Sequence, residues 1–168
     1  MSPVPPARAP GPDPRPRPRL DDVDRRLVAL LEADGRMPNN ALAREAGIAE
    51  STCVARVRSL RERGVIRGIH ADVDVAALGL PIEAMVAVRF GGHQREHFEQ
   101  FREGVPRLPG VLGTYHVSGA NDYLVHVAAA SPDALRDFVL DHLTNRPGVA
   151  NVETSLIFEH VRSGPDLT

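Results

Sequence analysis

The chain has 168 residues, 42% of them apolar, a single cysteine (Cys53) and a net charge of −2, which leaves room for one mid-sized or two small domains and excludes an internal disulfide framework and a membrane span. All 20 basic residues are Arg, a compositional bias that lowers the weight of any one Arg cluster as evidence for phosphate binding. Residues 1–19 carry four Arg against one Asp, residues 20–70 nine Arg against eight acids, and residues 71–168 seven Arg against thirteen acids, so a basic front joins an acidic back.

Residues 1–19 hold eight of the 15 prolines and no large apolar residue beyond Met1 and Val4; such a segment cannot bury enough surface to offset its ordering entropy and is expected to be a disordered arm. It lacks the apolar core of an export signal, which points to the cytoplasm. From Leu20 the apolar residues Leu20, Val23, Leu27, Leu30 and Leu31 make one helical stripe, with Asp21 as N-cap and Gly35 as stop. A second helix is predicted from Asn39 to Ala46, capped by Asn39 or Asn40 and stopped by Gly47. A third runs from Glu50 to Arg63 and stops at Gly64. Three short helices, the last two separated by Gly47-Ile48-Ala49, describe a helix-turn-helix over residues 20–70. Val65–Val73 reads as a short extended segment, and residues 71–81 as a linker.

The second domain, residues 82–162, alternates strand and helix, and residues 163–168 make a tail. Strands are expected at Ile82–Phe90, Val111–Ser118, Tyr123–Ala129 and Val149–Val161. Helices are expected at Gln94–Val105, with Phe98 and Phe101 inward, and after Ser131 as N-cap with Pro132 at its first position, carrying Leu135, Phe138, Val139 and His142. The order βαββαβ is the ferredoxin-like arrangement, so the fold class is α+β. Arg107-Leu108-Pro109-Gly110-Val111 recurs as Asn145-Arg146-Pro147-Gly148-Val149, each copy lying between a helix and the next strand.

Leu20–Leu27 with Asp34-Gly35-Arg36, then Ala43–Ile48, Arg56–Leu60, Gly64-Val65-Ile66 and Gly68, together resemble the front half of the Lrp/AsnC (leucine-responsive/asparagine regulator) family. In the back half, Val117–Tyr123 and Pro147-Gly148-Val149 are similar to its glycine-to-aspartate signature and last turn. The resemblance covers residues 20–162. It implies a winged-type helix-turn-helix joined to a ferredoxin-like domain that binds an effector, and a transcriptional regulator acting on double-stranded DNA. It further implies a homo-oligomer (a dimer, then a tetramer or octamer), a small-molecule effector such as an amino acid held between dimers, and a bacterial-type, nucleoid-associated location.

On a helical wheel, Cys53, Val54, Val57 and Leu60 share one side of the third helix, while Ser51, Thr52, Ala55, Arg56, Ser59 and Arg63 share the other. Ser51, Thr52 and Arg56 are candidates for base edges in a major groove, and Ser59 lies on the same face. Arg58, Arg61 and Arg63 are candidates for phosphates, which position but do not specify. Ala49 departs from the Ser or Thr cap common in the family, and Glu50 follows it. Glu50 suits the helix dipole but would lie near phosphates, either reading a cytosine amino group or weakening non-specific binding.

A free amino acid needs clustered N–H donors for its carboxylate and an acceptor for its ammonium. The turn Ser118-Gly119-Ala120-Asn121-Asp122 offers backbone amides and the Asp122 carboxylate, although Gly, Asn and Asp are also the default residues of a hairpin turn. Thr154 matches a position the family often uses against its effector. His116 and His126 are expected as near neighbours on paired strands, and His93 and His97 are four apart, but neither pair has a third ligand, so no metal and no cofactor are expected. Cys53 reads as an inert core residue. No nucleophile–base pair or phosphate loop supports an enzyme; an architectural DNA-binding protein without an effector is the alternative.

Overall fold

A computed structural model describes residues 19–92 and 94–161. The Pro/Arg-rich arm, apart from Arg19, and the 163–168 tail lie outside the described residues. Those described fall into two compact units, residues 19–72 with Val161, and residues 73–160. No described helix is long and apolar enough to cross a membrane.

The first unit is helical: α1 (Asp22–Ala33), α2 (Asn39–Ala46) and α3 (Glu50–Glu62). Asp21 caps α1 by accepting the Asp24 N–H at 2.8 Å. The expected asparagine cap of α2 is not made. Pro38 holds the N-cap position in an extended conformation, Asn39 is already helical, and the Asn40 carboxamide accepts from the neighbouring Ala41 N–H instead. Proline suits this place because its φ is fixed near the required value. Gly64 (φ 72°) ends α3, with the Val65 N–H donating to Leu60 O at 2.9 Å and the Gly64 N–H to Arg61 O at 3.0 Å. This left-handed turn satisfies carbonyls that the helix end leaves open.

Leu27, Leu42, Ala43, Cys53, Val57 and Leu60 form the core of this unit. Val54, expected among them, is 45% exposed; one residue is 100° of turn, which carries it from the buried Cys53 onto the flank of α3. Residues 65–73 pair with no strand among the described residues. They are held by side-chain packing, with Val65 and Ile66 against the helical core and Ile69 against Gly35. A Cβ on Gly35 would stand 2.6 Å from the Ile69 methyl.

The second unit is an antiparallel four-stranded sheet in the order β2-β3-β1-β4, where β1 is Ile82–Phe90, β2 Val111–His116, β3 Tyr123–Ala129 and β4 Val149–Ile157. Two helices, α4 (Arg95–Gly104) and α5 (Pro132–Val139), cover one face. Residues 105–107 and 140–144 continue them as 3-10 and π turns. Ser131 caps α5 as expected, accepting the Ala134 N–H at 3.1 Å. Ala84, Val86, Val88 and Phe90 of β1 alternate onto the helix-bearing face with Val125 and Val127, and pack on Phe101, Val105, Leu135 and Leu143. Phe98 stacks on Phe90 at 4.4 Å between centroids.

β2 ends at His116, after which the Val117 N–H closes the loop by donating to Asp122 O at 2.9 Å, and β4 stops at Ile157, paired with Glu83 near the start of β1. The expected His116–His126 adjacency is not formed. In the register, His116 pairs with Tyr123 and His126 with Gly113. His116 stacks on Tyr123, while His126 meets Glu83 at 2.8 Å.

Candidate functional site

The outer face of α3 presents Ser51, Thr52, Ala55 and Arg58 to solvent, with Ser59 partly covered. No side chain caps its N-terminus, so Ala49 leaves the first-turn N–H groups open to water or a ligand. Arg58 pairs with Glu62 one turn on, at 2.8 Å.

Arg56 does not share that outer face. Its Nη1 donates to Asp21 and to Asp24, each at 2.8 Å, and Arg63 adds a pair to Asp24 at 3.4 Å and a bond to the Arg19 carbonyl at 2.8 Å. Asp24 is only 5% exposed. One buried carboxylate on α1 thus holds Arg56 of α3 and Arg63 at that helix's C-cap, tying the two helices together. The Asp24 N–H, and then the Arg56 guanidinium, hold the Asp21 carboxyl below its usual range, while bonds to Asp21 and Asp24 raise Arg56. The signal for this cluster was present in the chain: Asp24 lies three residues from Leu27 and four from Leu20, inside the apolar stripe, where a charge needs a partner. Burial raises the Cys53 thiol, so it stays protonated and unreactive.

In the second unit, Ser118, Gly119 and Ala120 form an exposed loop tip, with Gly119 at φ 124°, a conformation that favours glycine. Asn121 and Asp122 are partly buried. The Asp122 N–H donates to Val88 O at 3.0 Å, and Asp122 Oδ2 accepts the Phe90 N–H at 2.8 Å. Asp122 therefore ties the loop to the end of β1, and only its second oxygen faces other tasks.

Thr154 is exposed on β4, opposite Val86. Two strand spacings, about 10 Å, separate β4 from β3 across the sheet, so a single chain does not bring Thr154 to the loop. Among the described residues, no three His, Cys, Asp or Glu side chains gather as a metal site.

Residues 20–61, which contain α1, α2 and nearly all of α3, match the AsnC-type helix-turn-helix domain, and residues 83–167 match the Lrp/AsnC ligand binding domain. The chain belongs to the Lrp/AsnC family. It is 48% identical over 143 residues to the transcriptional regulator AldR of Mycobacterium tuberculosis, covering 85% of this chain and 80% of that protein. It is 34% identical over 143 residues to the leucine-responsive regulatory protein of Rhizobium meliloti, covering 85% and 92%.

Among solved structures, it is similar to M. tuberculosis AldR (TM-score 0.70, 42% identity, 87% of this chain and 99% of that one). It is also similar to a Neisseria meningitidis transcriptional regulator in complex with L-Met (TM-score 0.79, 26% identity, 86% and 94%). As an Lrp/AsnC protein, the chain is a DNA-binding transcriptional regulator with a ligand-binding domain, and not an enzyme. The loop 118–122 and Thr154 both fall within the ligand-binding match.

Proposed function

We propose that this regulator binds DNA sequence-specifically through α3 and changes its DNA affinity or assembly when an amino acid occupies the loop Ser118–Asp122. Ser51, Thr52 and Ser59 face the base edges, Arg58 a phosphate, and Arg56 with Arg63 ties α3 to α1 from below. In the loop, the Gly119 and Ala120 amides meet the ligand carboxylate. The Asn121 carbonyl and the second Asp122 oxygen meet its ammonium. Thr154 joins from another copy of the chain.

The observation that carries the effector reading is the exposed, positive-φ loop pinned to β1 through Asp122, in a fold shared with a regulator seen in complex with L-Met. Assembly as a homo-oligomer is supported by the sheet face opposite the helices. There Met85, Ala87, Leu124 and the 54% exposed Tyr115 are left without a covering layer in the single chain.

The test is thermal unfolding against a panel of free amino acids. A ligand at about 100 times its Kd adds about 2.7 kcal/mol, and the account expects one to raise the midpoint in the wild type but not in Ala120→Arg, a change at an exposed position. No shift across the panel would instead favour an architectural protein without an amino-acid effector.

A further inference from the structure

The arginines of the helical unit sort by what they touch. Arg25 pairs with Asp22, Arg44 with Glu45, Arg58 with Glu62, and Arg56 and Arg63 with the acids of α1. Arg19, Arg26 and Arg36 are exposed with no carboxylate within ion-pair distance among the described residues, and the same holds of Arg61 and Arg67. Both line the same open groove of about 320 Å³, whose remaining walls are Ile66, Gly68 and Ile69. Arg61 reaches it because it projects from the flank of α3 away from Asp21 and Asp24. Arg67 reaches it because the chain after Gly64 folds back along the end of α3 instead of entering a sheet.

Resting on the reading of α3 as the DNA-facing helix, we infer that Arg61 and Arg67 form a second DNA contact, a two-arginine clamp on the sugar-phosphate backbone beside the recognition helix. The count of arginines carries little weight in a chain with no Lys, but the meeting of two unpaired ones on a single groove does. A guanidinium already bonded to a carboxylate must give up that bond to meet a phosphate, and an unpaired one need not. The distance also fits. From Ser51 to Arg61 the helix rises about 15 Å, so with Ser51 in a major groove about 12 Å wide, Arg61 comes level with the bordering strand. Such contacts set orientation and depth without reading sequence.

The experiment measures affinity of the full chain for a selected operator duplex and for a mixed-sequence duplex across a salt series. Arg61→Gln and Arg67→Gln are each expected to lower the log–log salt slope by about 0.9 per bound chain, and the double variant by about 1.8. The loss should be the same on both duplexes. Lys at both positions should restore the slope, and Arg107→Gln, an exposed arginine of the other unit, should leave it unchanged. An unaltered slope in a folded double variant, or a loss confined to the operator, overturns the clamp while leaving the reading of α3 in place. A wild-type chain that binds neither duplex overturns both.

Discussion

Helix α3 and the loop at 118–122 share one feature: in each, a charged candidate is fastened inside its own unit. They differ in what does the fastening. Arg56 is held by two carboxylates of α1, and Asp122 by the Phe90 amide. The first bond depends on charge and therefore on salt and pH. The second depends on an acceptor in the right place and tolerates loss of charge. In both regions small residues are among the neighbours left exposed: Ser51, Thr52 and Ala55 beside Arg58 on α3, and Gly119 and Ala120 in the loop.

The comparison breaks most visibly at Asp24. Asp24→Ala strands two partly covered guanidiniums and is expected to cost about 2–4 kcal/mol, less than for a fully buried pair because both arginines keep some water. A loss in chemical denaturation below about 0.5 kcal/mol, the range of ordinary surface changes, would make the network incidental. Next, Asp122→Ala leaves the Phe90 N–H without its acceptor, for about 1–3 kcal/mol. Asp122→Asn should recover most of that loss, and equal damage from both variants would mean that the charge, not the acceptor, holds the loop.

On DNA, Thr52→Val should relax preference at one base position by about 1–3 kcal/mol, measured on a panel of single-base operator variants. A uniform loss across the panel would place Thr52 on the backbone instead.

The smallest effect is that of Asp21. Its folded-state carboxyl lies below the usual range, so its contribution is complete above the unfolded value, about pH 4, and is lost as pH falls through the folded one. Asp21→Asn should remove that contribution at neutral pH and flatten the acid limb of the stability curve, so that variant and wild type converge at low pH. Steeper acid sensitivity in the variant would contradict the assignment.

Much of this architecture was legible in the chain. The glycines at 47 and 64, the Ser131-Pro132 start of α5 and the alternation through Ile82–Phe90 each state a local rule that the fold obeys. What escaped depends on contacts distant in sequence. A wheel placed Arg56 beside Ser59, but Asp21 and Asp24, 35 and 32 residues away, decide where its guanidinium goes. The misplaced cap of α2 arose because the helix begins one residue earlier than two adjoining asparagines suggest: Asn39 is already helical and the N-cap position falls to Pro38, which has no side-chain acceptor. The His116–His126 error arose from the register: His116 pairs with Tyr123, three residues before His126 along β3, and an odd offset puts the two rings on opposite faces of the sheet.

The most direct measurement of the central claim is binding of the full chain to an operator duplex selected from a random pool, with and without each amino acid, for the wild type and Ala120→Arg. The account predicts that at least one amino acid shifts the wild-type affinity by about 5-fold or more, and that the variant binds DNA equally well but does not respond. Identical affinity with every amino acid, or a response that survives in Ala120→Arg, would contradict it.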